Sequence, residues 1–208
     1  MPTTLFTRTR NITFILLAAV AVVCPIFYFA VDLPAAKFVH TKMPSAIHHL
    51  AAQITGAGDW FLYLFAIIAL IARLIFKNKL VFRQFLFPLL AAAAAGIITT
   101  ILKLLVGRWR PKEFFRDGLY GFSPFHNAAS WPSGHSAGIM AMMTAIAIFF
   151  PKWRAPCFVI ATLVGSTRIV LTEHYPGDVL AGLVLGYLCA HWLYCLLVRC
   201  KQLPEQES

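Results

Sequence analysis

The residues best suited to chemistry lie in three short stretches, each where a hydrophobic run meets a polar connection. The first runs from Lys103 to Pro111 and carries Lys103, Arg108 and Arg110. The second is Pro132, Ser133, Gly134 and His135. The third holds Arg168, His174 and Asp178. Charges at the ends of apolar runs are costly to desolvate, so a cluster of them points to function. Together these residues offer cations, neutral donors, two histidines and a carboxylate, a set suited to phosphoryl transfer. A phosphate ester is an anion that repels nucleophiles, so charge must be neutralised and the group positioned before any bond changes. Lys103, Arg110 and Arg168 supply three positive charges, and a guanidinium grips two oxygens at once. Ser133 Oγ and the Gly134 N–H at a helix start add neutral donors, and glycine allows close backbone approach. His135 and His174 remain for bond making and breaking.

These stretches must be positioned by apolar elements. The chain has 208 residues, 60% hydrophobic and 12% charged, with a mean hydropathy of +0.74. A soluble domain is about half apolar and about a quarter charged, so the bilayer is the expected solvent and a single all-α domain over residues 1–208 the expected class. The net charge of +10 is not gathered into one exposed stripe, which argues against a nucleic-acid partner. Six spans are predicted over residues 11–31, 60–76, 84–103, 132–150, 156–172 and 176–198. The Arg8/Arg10 start has the look of a signal peptide, but no small-residue cleavage pattern follows, so the first run is read as a retained span. Ser136 to Phe150 gives only about 22 Å of helix, so the fourth span is expected to start at Pro132, with Pro132 and Pro176 each at a first helical position. The second and third stretches then lie at helix N-termini, where free N–H groups attract anions. The small-residue run Ala91–Ala95 suits close helix packing.

Basic residues set the expected orientation. With the N-terminus inside, the cytoplasmic side receives ten of the 18 Lys and Arg: Arg8, Arg10, Arg73, Lys77, Lys79, Arg83, Lys152, Arg154, Arg199 and Lys201. The other side receives eight, of which Lys103, Arg110 and Arg168 belong to the motifs. This favours an N-in/C-in bundle with all three stretches on the outer face, because the second outer loop (the active-site loop 104–131) and the third outer loop carry them. Residues 33–56 are read as an amphipathic segment on the outer leaflet. His40, His48 and His49 lack a completing ligand, so no metal site is expected there. The five cysteines have no metal spacing and are read as packing residues. Arg108, Lys112 and Arg116 are read as a solvated or headgroup-facing loop, and His126 and Asn127 as loop residues rather than headgroup contacts. Glu173 is expected to face water, His191 to be packed and hydrogen-bonded, and the tail from Gln202 to fray.

Lys103 followed by Arg110-Pro111, then Pro-Ser-Gly-His, then Arg168 with His174 and Asp178, resembles the type 2 phosphatidic acid phosphatase (PAP2) superfamily. That superfamily includes membrane lipid phosphatases, soluble acid phosphatases and vanadium haloperoxidases. The resemblance implies a haloperoxidase-like helical core here built into a six-span bundle. It implies that His174 is the nucleophile, that Asp178 orients it, and that His135 is the general acid protonating the leaving oxygen. It carries phosphate binding onto Lys103, Arg110, Ser133, Gly134 and Arg168, with neither metal nor other cofactor. The family often has Ser directly before the third-motif Arg; here the position is Thr167, with Ser166 before it.

The expected activity is hydrolysis of a lipid phosphate or pyrophosphate arriving through the outer leaflet of a bacterial inner membrane, with the site facing the periplasm. Undecaprenyl pyrophosphate, phosphatidylglycerophosphate, phosphatidic acid and lipid A are the substrate classes considered. The Gly107–Pro111 and Asp117–Phe122 stretches resemble bacterial lipid A phosphatases but do not choose among lipids. A lipid-to-lipid phosphotransferase would use the same site, and a lipid transporter or scaffold would bind headgroups without chemistry. Haloperoxidase activity is disfavoured, since those relatives are soluble.

Overall fold

Pro25 shapes the first element. It has no N–H to donate within α1 (Pro2–Ile26), and directly after it the helix widens into a π turn (Phe27–Val31) before running on as α2 (Asp32–Lys42). Pro44 forces Met43 into an extended conformation and ends α2. There follow α3 (Ser45–Leu74), α4 (Lys79–Val106), α5 (Pro111–Asp117), α6 (Gly134–Phe149), a 3-10 turn (Pro151–Trp153), α7 (Arg154–Val170) and α8 (Pro176–Arg199). This computed structural model describes residues 2–74, 79–126, 129–200 and 203. Lys77, Asn127, Lys201 and the tail residues Gln202 and 204–208 lie outside the described residues.

The described residues form an all-helical membrane protein. Three stretches, Thr4–Lys42, Phe82–Val106 and Pro176–Arg199, are long and apolar enough to cross a bilayer. Exposed Phe14, Ile15, Leu17 and Val22 along α1, and Phe29 in the π turn, fit lipid contact. Two expectations change. Residues 33–56 are not one segment: the first part completes α2 and the rest begins α3. The fourth span starts at Gly134 rather than Pro132, because Ser133 is extended and acts as the N-cap, leaving Pro132 before the helix. At 16 residues α6 is about 24 Å long, still shorter than a hydrocarbon core. It is the central helix, packed by α4, α7 and α8, with ten residues buried, so it is not matched to the bilayer alone. Pro176 does open α8 as the sequence predicts.

The packing that positions the site is close. A Cβ on Gly182 would lie 2.4 Å from the Ser133 carbonyl oxygen, and one on Gly186 would lie 2.1 Å from that of Ala137. Both glycines therefore let the α8 backbone touch α6. Ala91 and Ala95 of α4 join Ala137, Ala141 and Ala145 of α6 in the same core. Cys157, Cys189 and Cys195 are buried and free, as packing residues should be.

Candidate active site

The α7–α8 turn is folded back on itself. The N–H groups of Glu173 and His174 both donate to the Arg168 carbonyl, at 3.1 and 3.2 Å. Asp178 then caps α8, its Oδ2 accepting the Tyr175 N–H at 2.8 Å. The Asp178 carbonyl accepts the Ser133 N–H at 3.0 Å, which ties the second motif to the third.

His174 is buried, and Asp178 does not hold it directly. Nδ1 lies 3.8 Å from Asp178 Oδ2, too far for a hydrogen bond. Ser130 fills the gap. Its Oγ is 3.3 Å from Nδ1 and donates a short hydrogen bond to Asp178 Oδ2. This chain assigns the proton to Nδ1 and leaves Nε2 as the free lone pair. Burial lowers the His174 pKa to about 4, against the opposing pull of Asp178 and with help from the Lys103 and Arg110 charges. The ring is therefore neutral at neutral pH, the state a nucleophile needs.

Arg108 is not in a solvated loop. Its side chain is 3% exposed, with Nη1 2.7 Å from Asp178 Oδ1 and Nη2 2.8 Å from Asp32 Oδ2. Tyr28 and Tyr175 stand 5.0 and 4.2 Å from the guanidinium, as cation–π partners. Burial opposes its charge, but the two carboxylates outweigh that and raise its pKa further. Asp32 Oδ1 also accepts the Gly177 N–H at 2.8 Å, so the end of the π turn is pinned to the start of α8. The loop that turns Arg108 inward depends on Gly107, at φ +61°, where a Cβ would meet the Ser123 carbonyl oxygen at 1.9 Å.

The motif cations converge on one place. The charges of Arg110, Arg168, Asp178 and Glu173 all act on Lys103 in the last turn of α4. Arg110 is the N-cap of α5, and its N–H donates to Glu113 Oε2 at 2.8 Å. Its guanidinium makes a short ion pair with Glu173, which also binds Lys112 Nζ at 3.1 Å. Glu173 thus faces the cradle and not bulk water. Burial pulls its pKa up, but Lys112 and Arg110 outweigh this and hold it below the usual value. Ser133 Oγ accepts from Ser136 Oγ at 2.8 Å, leaving its own hydrogen to donate. Gly134 and the exposed His135 form the first turn of α6 and border an apolar cavity of about 370 Å³. Gly58, Ala92, Gly138 and Met142 line it further in. Thr167 points elsewhere: its Oγ1 pairs with Thr55 Oγ1 at 2.5 Å and donates to the Val164 carbonyl at 2.6 Å. Lys112 and Arg116 are solvated as expected, and Arg116 pairs with Asp117. His126 bonds the Ser123 carbonyl at 2.6 Å and packs on Trp109. His191 bonds the Tyr187 carbonyl at 3.0 Å.

Residues 84–202 match the sequence model of the PAP2 superfamily. The chain belongs to that superfamily. It is 32% identical to a lipid A 1-phosphatase of Rhizobium johnstonii over 177 residues, covering 77% of this chain and 72% of the relative. It is also 32% identical to an undecaprenyl-diphosphatase of Bacillus subtilis, over 45% of this chain and 48% of that one. The fold matches the crystal structure of a transmembrane PAP2-type phosphatidylglycerolphosphate phosphatase from Bacillus subtilis, with a TM-score of 0.63, 24% identity and 96% of both chains covered. This PAP2 protein is a membrane lipid phosphatase.

Sequence reasoning placed the motif residues but missed Ser130, Asp32, the inward turn of Arg108 and the pairing of Glu173. Ser130 lies in a connection with no periodicity. It reaches the site because its N–H donates to the Arg108 carbonyl at 2.6 Å. The one available signal for Asp32 was a carboxylate at the end of a very apolar run, the same signal that flagged the three motifs.

Proposed function

We propose that this phosphatase hydrolyses the terminal phosphate of a large bacterial lipid, with the 1-phosphate of lipid A first and undecaprenyl pyrophosphate second, through a phosphohistidine on His174. The observation that carries the reading is a neutral, buried His174 on which the Lys103 and Arg110 charges act, in a fold whose other motif histidine, His135, borders an apolar cavity. Lys103, Arg110 and Arg168 neutralise the phosphate oxygens, and Ser133 Oγ–H and the Gly134 N–H donate to them. Nε2 of His174 attacks phosphorus while the bond to the leaving oxygen breaks, and His135 gives that oxygen its proton. Ser130 and Asp178 stabilise the positive imidazole that forms. Water, deprotonated by His135, then attacks the phosphohistidine, releasing phosphate and restoring both histidines. The cavity takes an apolar tail that stays at membrane depth.

The lipid A reading leans on the likeness to the Rhizobium lipid A 1-phosphatase, and the undecaprenyl reading on the shorter Bacillus one. Six crossings, N-in/C-in topology, an inner-membrane location and a periplasmic site follow from the basic-residue bias and the span pattern. A panel of lipid phosphates given to detergent-purified protein, with free phosphate measured with and without chelator, tests the proposal. Lipid A should lose its 1-phosphate at undiminished rate in chelator, and acid-labile label should appear on His174. Strong magnesium dependence, or label on another residue, would overturn the mechanism. Preference for a short soluble phosphate ester would overturn the lipid assignment.

A further inference from the structure

A second cavity, apolar-walled but with polar groups in its lining, lies at the opposite end of the bundle from His174, and nothing in the reaction uses it. Its volume is about 130 Å³, and its polar lining comes from four helices: Arg8 of α1, Thr144 of α6, Arg154 of α7, and Tyr187 and His191 of α8. The charges of Arg154 and Arg8 both reach Tyr187 and His191. Two guanidinium groups thus face one small chamber.

Thr144 supplies an independent sign of a ligand. It is 1% exposed, lines the chamber, and its Oγ1 has no hydrogen-bond partner. A threonine inside a helix ordinarily back-bonds to the carbonyl one turn earlier, as Thr13, Thr100 and Thr162 do here. A buried hydroxyl left unpaired is costly, so a partner from outside the protein is expected.

The surroundings identify that partner as a lipid rather than a free ion. Leu5, Ile12, Ile148 and Phe158 form apolar walls. Arg8 and Ile12 also border an open depression on the outer face of α1 with Thr7, Asn11 and Ile15. The chamber therefore continues onto the helix face that carries Ile15, which is exposed and apolar. A soluble phosphate would need only the cations. A phospholipid uses the cations, the hydroxyl and the apolar exit together. We propose that this chamber holds the headgroup phosphate of an anionic phospholipid from the leaflet opposite the active site, gripped between Arg8 and Arg154, with its acyl chains along α1. The bound lipid would tie α1 to α6, α7 and α8 at the end where the catalytic network does not reach.

The full-length protein, delipidated in detergent, is titrated with phosphatidylglycerol, with phosphatidylcholine and with inorganic phosphate, and retained adducts are read by native mass spectrometry. Phosphatidylglycerol is a phosphodiester, so the phosphatase site does not consume it. Retention of phosphatidylglycerol should exceed that of phosphatidylcholine by about tenfold, and Arg8→Gln/Arg154→Gln should bring the two level. Thr144→Val keeps the side-chain shape and should weaken phosphatidylglycerol retention by about threefold. Unchanged release of phosphate from a lipid phosphate shows that each variant is folded. Equal retention of the two lipids, retention unaffected by the double Arg variant, or full displacement of the lipid by millimolar inorganic phosphate would overturn the proposal. None of these outcomes depends on which lipid the catalytic site cleaves.

Discussion

Arg108 and Arg110 are two residues apart in one loop, yet their environments are opposite. Arg108 is sealed between Asp32 and Asp178 with tyrosine rings beside it, so its charge is fully committed inside the protein. Arg110 sits at the mouth, 21% exposed, against a Glu173 that it shares with Lys112. A phosphate can compete for the second arginine but not for the first. The inner half of the site is therefore a fixed frame for His174, and the outer half is a set of exchangeable charges. Formal charge in a motif does not tell the two apart; the number and burial of the carboxylates around each arginine does.

The sharpest way to break this contrast is to remove the inner arginine. Arg108→Met leaves two buried carboxylates without their counterion, and should cost about 3–5 kcal/mol of stability. A melting temperature in detergent equal to the parent would show that Arg108 is not the frame. Asp32→Asn added to Arg108→Met should restore part of the loss, because one of the stranded charges is then gone. At the mouth, Arg110→Met should lower phosphate release by about 10²- to 10³-fold, the effect of losing one donor to transition-state charge. Its stability should change by less than about 1 kcal/mol, since only a partly exposed ion pair is lost. Loss of stability on the Arg108 scale would erase the difference between the two residues. Ser130→Ala acts between the halves. It removes the hydroxyl that joins His174 to Asp178, and should lower kcat about tenfold with KM little changed. A change confined to KM would show that Ser130 touches substrate instead of holding the histidine.

The sequence made the outer half legible and the inner half only partly so. Lys103, Arg110, Arg168, Ser133 and His174 follow from residue type at short spacing, and the start of α8 from Pro176. Arg108 could not be read this way, because its partner Asp32 is 76 positions away, beyond a π turn that no hydrophobic pattern encodes. Glu173 is expected to face water from its sequence position next to His174, which carries no information about the turn. Here both N–H groups fold back onto the Arg168 carbonyl, which turns the carboxylate towards Arg110. The start of α6 was misplaced for a related reason. The length argument treated it as a helix that must cross lipid alone, whereas α4, α7 and α8 enclose it.

The electrostatic half of the contrast can be sharpened by pH. His174 titrates at about 4 in the fold against about 6.5 in an unfolded chain. Between those values the unfolded state holds a proton that the folded state lacks, so stability rises with pH. The contribution is intact above pH 6.5 and is lost progressively as pH falls towards 4. The His174 ring signal in an NMR titration should therefore stay neutral well below pH 6. A normal titration of that ring would mean that the site is wetter than its burial indicates.

The smallest expected effect tests whether the mouth charges are exchangeable. Glu173→Gln frees Arg110 and Lys112 from the carboxylate but leaves an amide of the same shape. If phosphate must displace Glu173 to reach Arg110, the variant should bind substrate more tightly, with KM reduced about three- to fivefold, equivalent to about 1 kcal/mol. Stability should fall slightly at neutral pH. That difference should vanish in acid, because the lowered carboxyl is ionised above the ordinary carboxylate pKa and its pairing is lost as pH drops through its own value. An increase in KM would mean that Glu173 aims Arg110 at the phosphate instead of competing with it, and the outer half would then be a frame as well.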